Sequence, residues 1–330
     1  MLMLCRQRSP FPSTRPGIVL VRGYNSGMPL RPEEKRRTEQ RLPASRNLDC
    51  MTAAEIVRLM NREDGKVAAA IRRELPQIAQ AVDVIVRAIR RGGRLIYVGA
   101  GTSGRLALLD AVELPPTFGI GSDVVIALVA GGKKAVTGAV EGAEDSASNA
   151  VRDLRAIKLG RRDVVLGIAA SGTTPYVLSA LQFARRHRAE TIALTANRHS
   201  PLAKLAGISI APEVGCEVVT GSTRMKAGSS QKMVLNMLST AAMVRMGRVY
   251  DNWMIGVALT NQKLRKRGQR ILQEASGASV SAAARALRQA GHDPCVALIM
   301  LKKKVSAAEA QLLLSAAHGN MRRALGELKK

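Results

Sequence analysis

The sequence predicts an α/β fold, a parallel sheet sandwiched by helices, with N-terminal helices before it and a small C-terminal helical bundle after it. Three observations predict this. Aromatic residues make up only 2% of the 330-residue chain while 46% is hydrophobic, so the core must be built from Ala, Val, Leu, Ile and Met. That composition suits helices packed on a buried parallel sheet. Short continuous apolar runs recur at 95–98, 124–129, 164–168 and 191–194, the pattern of strands buried on both faces. Helical stretches separate the runs, and alternating strands and helices imply βαβ units.

The elements follow in order. Residues 1–32 carry Arg6, Arg8, Arg15, Arg22 and Arg31 with no acid before Glu33, and prolines and serines are frequent. An organellar transit peptide looks like this, and so does sequence translated upstream of a true start at Met28. The second reading is preferred because the remainder reads as bacterial. Either way the leader stands outside the fold, as a disordered or misassigned segment. Residues 33–92 form an N-terminal helical segment. Thr52-Ala53-Ala54-Glu55 is a capping box that opens a helix with Ile56, Leu59 and Met60 on one face. A second helix starts near Pro76, carries the stripe Ile78, Ala81, Val82, Ile85 and Ile89, and stops at Gly92-Gly93. The sheet unit spans 93–255, with Ile208-Ser209-Ile210 as a further candidate strand and a long helix from about 224 to 246. The bundle covers 275–330, where short Ala- and Leu-rich helices break at Gly291-His292-Asp293-Pro294 and at His318-Gly319-Asn320.

Lys plus Arg number 51 against 25 acids, a formal charge of +26. The basic residues are spread along the chain and few aromatics are present to stack on bases, so the charge reads as a solvated surface and no nucleic-acid partner is expected. The positive field favours an anionic substrate. Cys5, Cys50, Cys216 and Cys295 lie far apart with no CxxC pair, which suggests neither a zinc site nor a disulfide framework. Reduced thiols point to the cytoplasm. No apolar run reaches the length of a membrane span, so no membrane partner is expected.

Two strand ends share a design. The first is GAGTSGR over 99–105, with Thr102 and Ser103; the second is ASGTTP over 170–175, with Ser171, Thr173 and Thr174. Each follows a buried strand and opens a helix. Small residues let backbone approach a ligand, hydroxyls supply donors, and a helix N-terminus attracts an anion. A third hydroxyl loop, Thr220-Gly221-Ser222-Thr223, leads into Arg224, Lys226 and the long helix. Ligands in open α/β sheets bind at the carboxyl ends of strands. Together the three loops read as a phosphate cradle built from Thr102, Ser103, Ser171, Thr173, Thr174, Ser222 and Thr223. Lys226 has two readings, a phosphate ligand or a partner of Glu217. The first loop is not GxGxxG, which disfavours a dinucleotide site, and no GxxxxGK[ST] is present.

The strand-loop pairs GAGTSGR and AASGTTP resemble the sugar isomerase (SIS) domain. Three longer motifs narrow the resemblance: DAVELPPTFG over 110–119, AVEGAED over 139–145 and EVVTGSTRMKAG over 217–228. Together they resemble the bacterial N-acetylmuramic acid 6-phosphate etherases, from about Thr38 to near the C-terminus. The resemblance implies an SIS-type sheet, a homodimer with active sites near the subunit interface, and cleavage of the D-lactyl ether at C3 of a phosphosugar. It implies Glu113 as proton donor and Glu144 as second acid/base residue, with no cofactor. On their own, Glu113 reads as a residue at a helix end before Pro115-Pro116, and spacing cannot choose among Glu141, Glu144 and Asp145. His187, His199, His292 and His318 read as surface or packing residues, and no metal-ligand cluster is visible.

Two carboxylates suit the implied chemistry. A sugar ether resists direct substitution, but once the ring opens the C1 aldehyde acidifies the C2 proton. A base takes that proton, an acid protonates the departing lactate oxygen, and water then adds back. The runner-up readings are a phosphosugar isomerase and a non-catalytic phosphosugar sensor; no helix-turn-helix pattern accompanies the latter. Two positions depart from the family. Thr173 stands where the second loop usually carries Arg, and 195–199 read Thr-Ala-Asn-Arg-His where relatives tend to carry Ser-Cys-Asn-Pro-Gly. Arg198 is the expected replacement for the missing charge.

Overall fold

The computed structural model describes residues 36–259 and 261–327; the leader over 1–32 lies outside them. A strap of 3-10 turns runs from Arg37 to Cys50, and the chain then enters α1 (Ala53–Asp64), α2 (Val67–Arg72) and α3 (Leu75–Arg90). The capping box forms as read: the Thr52 hydroxyl accepts from the Glu55 N–H, and the Glu55 carboxylate accepts from the Thr52 N–H at 2.7 Å. The stripe of α3 buries Ile78, Ala81, Val82 and Ile85 against the sheet.

The sheet unit proceeds through β1 (Leu95–Gly99), α4 (Gly101–Phe118), β2 (Val125–Val129), α5 (Lys134–Thr137), α6 (Ala147–Ala156) and β3 (Val164–Ile168). It continues with α7 (Pro175–Arg186), β4 (Glu190–Leu194), α8 (Pro201–Leu205), β5 (Ile208–Ile210) and α9 (Lys226–Arg245). All strand pairings are parallel and the strand order is β2-β1-β3-β4-β5. Strand side chains alternate between two cores. Leu95, Tyr97, Leu166 and Ile192 pack with α3, α4 and α9, whereas Ile96, Val98, Val165 and Ala193 pack with α6 and α7. Both faces are covered, which is why these strands read as continuous apolar runs. The Tyr97 hydroxyl donates to Asp110 Oδ2 at 2.9 Å and Ser239 donates to Oδ1 at 3.1 Å, so one buried carboxyl ties β1, α4 and α9 together. Burial pushes the Asp110 pKa up, against the pull of these hydrogen bonds.

One expectation fails at α4. Glu113 is not at the helix end, because the helix runs on through Pro115 and Pro116 to Phe118. The prolines take away N–H donors to Ala111 and Val112. The Thr117 hydroxyl donates to the Glu113 carbonyl at 2.6 Å, and Gly119 closes the helix in the left-handed region with its N–H on Pro115 O.

The start of α9 shows the partners of Lys226. The Glu217 carboxylate, 0% exposed, accepts from the Lys226 and Ala227 backbone N–H groups at 3.1 and 2.9 Å and caps the helix. The Lys226 ammonium turns instead to Glu63 on α1 at 2.8 Å, and Glu63 also accepts from Lys66 at 2.6 Å. Lys226 is 1% exposed, and its charge is held in this buried pair.

The C-terminal helices are α10 (Gln262–Ser276), α11 (Val280–Gln289), α12 (Pro294–Lys303), α13 (Ala307–Ala316) and α14 (Met321–Leu325). They enclose a core of their own, with Leu272, Ala283, Leu298 and Met321 fully buried. The Ala258 N–H bonds Pro116 O at 3.1 Å, joining the segment ahead of this bundle to the end of α4. Helix α10 precedes the expected start of the bundle. Its Lys- and Arg-rich sequence hides a stripe in which Gly268 lets Leu259 approach, since an added Cβ would lie 2.8 Å from Leu259 Cδ2.

Glu63→Gln should cost about 3–5 kcal/mol, because Lys226 would be left as an unpaired buried charge. Burial acts to raise the Glu63 pKa, but the bonds from Lys226 and Lys66 prevail and hold it below the ordinary carboxylate value. A depressed carboxylate stabilises above its unfolded pKa and loses that contribution as pH falls through the native one. Urea unfolding should therefore separate variant from wild type widely at neutral pH and hardly at all below the carboxylate range.

Candidate active site

The strand order reverses direction between β1 and β3, which are neighbours, so the loops leaving their carboxyl ends flank the crevice where such sheets bind ligands. The β1 loop turns at once into α4. Gly99 and Gly104 touch: a Cβ on Gly104 would lie 2.8 Å from the Gly99 carbonyl oxygen. This close approach presents Thr102 and buries Ser103, whose hydroxyl donates to Gln231 Oε1 on α9 at 2.9 Å. Gln231 carries no motif and was not a sequence candidate; its Nε2 is buried with no partner among the described residues.

The β3 loop is shaped by Gly172 at φ +70°, where a Cβ would lie 2.2 Å from Ser200 Oγ. Only glycine fits. Thr173 directs both its N–H (3.3 Å) and its hydroxyl (3.1 Å) at Ser171 Oγ. Thr174 precedes Pro175, the first residue of α7, so the turn feeds a helix N-terminus. The segment after β4 props the turn from below: the Asn197 amide donates to the Ala170 carbonyl at 3.0 Å and to that of Ser171 at 3.3 Å.

The third loop meets the first. Gly228 lies against Thr102 and Thr223, since a Cβ placed there would be 3.5 Å from Thr102 Cγ2 and 3.6 Å from Thr223 O. Ser222 and Thr223 are half-buried in a turn ahead of α9. The N-terminal strap crosses the same region. Asn197 donates to Thr38 Oγ1 at 3.3 Å, and Arg36 donates to Thr173 Oγ1 at 2.7 Å.

A cavity of about 780 Å³ opens between the strap, the β3 loop and the segment after β4; Arg36, Asp145, Thr173, Asn197 and His199 are among its lining. Glu144 sits on the turn Ala143–Asp145, exposed and one residue from that wall. Glu113 is exposed on α4, eleven residues from Thr102 and so about 16 Å down the helix. Within one chain the structure thus sets the β3 loop and Asp145 on one cavity with Glu144 beside it, brings the first and third loops together at Gly228, and leaves Glu113 apart. Arg198, the expected replacement for the missing loop charge, lines the same cavity. Its guanidinium is taken by buried Glu74, which also accepts from the Ala211 N–H at 2.9 Å, and lies 3.6 Å from Glu213. Among the described residues no cluster of three or more His, Cys, Asp or Glu is placed to hold a metal ion, and no helix is long and apolar enough to cross a membrane.

Comparison with known proteins matches this architecture. Residues 77–185 match the glucokinase regulatory protein N-terminal SIS domain and residues 146–241 match the SIS domain. The chain is 53% identical to an N-acetylmuramic acid 6-phosphate etherase of Edwardsiella ictaluri over 88% of its own length and 97% of that protein. It is 50% identical to the enzyme so named from Geobacillus thermodenitrificans over 87% of its length and 98% of that protein. Among solved structures, a phosphoheptose isomerase from Francisella tularensis aligns at 21% identity and a TM-score of 0.46, covering 58% of this chain and 98% of that one. With half of its residues shared along almost the whole length of such relatives, the chain belongs to the N-acetylmuramic acid 6-phosphate etherase family of SIS-domain proteins.

Proposed function

We propose that this chain is a carbon-oxygen lyase that cleaves the D-lactyl ether at C3 of N-acetylmuramic acid 6-phosphate, giving N-acetylglucosamine 6-phosphate and D-lactate. The carrying observation is identity at the 50% level across nearly the full length of proteins named for that reaction. The site geometry supports it: the hydroxyl loops after β1 and β3 leave the carboxyl ends of neighbouring strands at the reversal of strand order, where such sheets hold ligands.

The roles follow from the chemistry. With the ring open, the Glu144 carboxylate takes the proton from C2. The C3–O bond then breaks, its electron pair goes to the lactyl oxygen, and the Glu113 carboxyl delivers a proton there. Water adds across the resulting double bond, its hydroxyl to C3 and a proton to C2. Thr102, Ser103, Ser171, Thr173, Thr174, Ser222 and Thr223 bind the phosphosugar, while Lys226 holds the third loop through Glu63. No cofactor takes part.

Both glutamates are exposed in a single chain, and Glu113 shares its helix surface with Leu109 and Val112, which are 44% and 56% exposed. A second copy covering this face would bury apolar surface and screen the reacting groups from water. The working enzyme is therefore a homodimer in this proposal, acting in the cytoplasm on a small molecule, with neither nucleic acid nor membrane as partner. Residues 93–255 form its phosphosugar-binding unit, preceded by the helices of 53–90 and followed by those of 262–325.

Wild-type protein given N-acetylmuramic acid 6-phosphate should release D-lactate and exchange the C2 hydrogen with deuterated water. Each positioned acid or base contributes about 10²–10⁴-fold. Glu144→Gln should lose both reactions by about that factor, whereas Glu113→Gln should lose lactate release and retain exchange. An isomerase would show exchange without lactate, and a sensor neither. Sedimentation should give a species of twice the chain mass, and Val112→Asp should halve it.

A further inference from the structure

The side-chain amide of Gln231 is buried without its full set of partners. The residue is 2% exposed on α9, and its Nε2 has no partner among the described residues. Its Oε1 accepts from the Ser103 hydroxyl at 2.9 Å, across 128 residues of sequence. Gly228, one turn earlier on α9, allows this reach, because an added Cβ would already touch Thr102 Cγ2 at 3.5 Å and Leu106 Cδ1 at 4.0 Å. A buried donor left unpaired is costly and native interiors hold few, so this one calls for a reason.

The reason lies at Ser103. It is the third residue of α4, whose capping position is Ala100, with no side-chain acceptor for the first turn. Open N–H groups at a helix start attract an anion. The Ser103 hydroxyl belongs to the same turn, yet its one proton is directed at Gln231 and only its lone pairs are free. Those lone pairs repel a phosphate oxygen. The amide has a second arrangement. Turned over about its last bond, it would donate from Nε2 to Ser103 Oγ and leave Oε1 unpaired instead. Each arrangement makes one bond and leaves one amide atom without a partner, so neither is strongly preferred by the protein alone. An anion at the start of α4 favours only the second, in which the hydroxyl proton is free to be donated to it.

We propose that Gln231 is a positioning residue for the phosphosugar, an amide that turns over when the phosphate meets α4 and so makes Ser103 a donor. The hydrogen bond from Ser103 Oγ to Gln231 Oε1 is exchanged for one from Nε2 to Oγ, and the Ser103 hydroxyl then donates to a phosphate oxygen. Gln231 touches no reacting atom and acts through Ser103. The exchange favours a phosphorylated over an unphosphorylated sugar, since a neutral hydroxyl can bond Ser103 in either arrangement. This rests on the phosphosugar reading but not on the lyase chemistry.

The test is nuclear magnetic resonance of the full-length protein carrying nitrogen-15 in its glutamine side chains. The amide proton signals missing from Gln231→Met belong to Gln231, and Gln231→Glu identifies them should the methionine variant not fold. Saturation with N-acetylglucosamine 6-phosphate should move one of them downfield and slow its exchange with solvent, because that proton gains an acceptor. N-acetylglucosamine should leave them in place, and so should saturating phosphosugar in Ser103→Ala. Calorimetry gives a second readout. Ser103→Ala should weaken phosphosugar binding about tenfold to a hundredfold, the loss of a hydrogen bond to a charged group. Gln231→Met should weaken it about twofold to tenfold, as for a neutral bond, with no further loss in the Ser103→Ala background. Signals that stay in place on phosphosugar binding overturn the proposal. So do signals that move equally in Ser103→Ala, which would report only a nearby charge. A Gln231→Met loss that persists in the Ser103→Ala background also overturns it, since Gln231 would then merely tie α9 to α4. If wild type binds the phosphosugar yet releases no lactate, the lyase reading fails while this one stands; if N-acetylglucosamine 6-phosphate does not bind at all, both fail.

Discussion

The adjacency of β1 and β3 in a sheet buried on both faces is the constraint from which the site follows. Parallel strands need crossover helices, and right-handed crossovers starting from two neighbouring strands in opposite directions send α4 to one face and α7 to the other. Between the two departing helices a crevice is left at the carboxyl edge. The loops that line it have to turn sharply from strand to helix, and glycine permits this at positions where any Cβ would strike backbone or Ser200. The hydroxyls of Ser103 and Ser171 are then set by that turning together with the side chains they bond, Gln231 and Thr173.

Charge is arranged in two tiers. Deep in the fold, Glu63, Lys226 and Glu217 hold the third loop and the start of α9, linking α1 to the sheet unit across 163 residues of sequence. The carboxylate of Glu74 does the same for Arg198 and the strand-end backbone at Ala211. These groups are satisfied by one another and their cost of burial is offset within the fold. Nearer the cavity, Arg36, Asp145 and Glu144 lie where a ligand can reach them. A surplus of 26 positive charges over the whole chain raises the local concentration of an anionic substrate without choosing among anions; that choice falls to the few groups the loops place.

Much of the fold was legible because its signals are local. The runs ending at Gly99 and Ile168 are continuous because both faces of each strand are covered, and the Thr52 cap sits next to the helix it opens. The features that escaped are those with no local signal. Helix α10 hides its buried Ile271 and Leu272 among basic and amide side chains of solvated character, and α4 continues through a Pro-Pro step because Thr117 bonds back to Glu113. The pairings of the Lys226 ammonium with Glu63 and of Arg36 with Thr173 join residues far apart in sequence, so spacing could not suggest them; Glu217, the partner that spacing offered for Lys226, takes its backbone N–H. The hydroxyl loops were found from their motifs. The carboxylates were not separable by spacing, and the cavity wall itself holds Asp145 next to the Glu144 that resemblance selects.

The central claim is that lactate leaves by elimination and that water returns to the sugar at C3. Running the reaction in deuterium oxide enriched in oxygen-18 and analysing both products by mass spectrometry tests this most directly. Beside any heavy oxygen that the C1 aldehyde exchanges with solvent, the account predicts one at C3 together with deuterium at C2 of N-acetylglucosamine 6-phosphate, and no heavy oxygen in D-lactate. Heavy oxygen in the lactate, with none at C3 of the sugar, would mean that water attacks the lactyl carbon by displacement, and the roles given to Glu113 and Glu144 would be wrong.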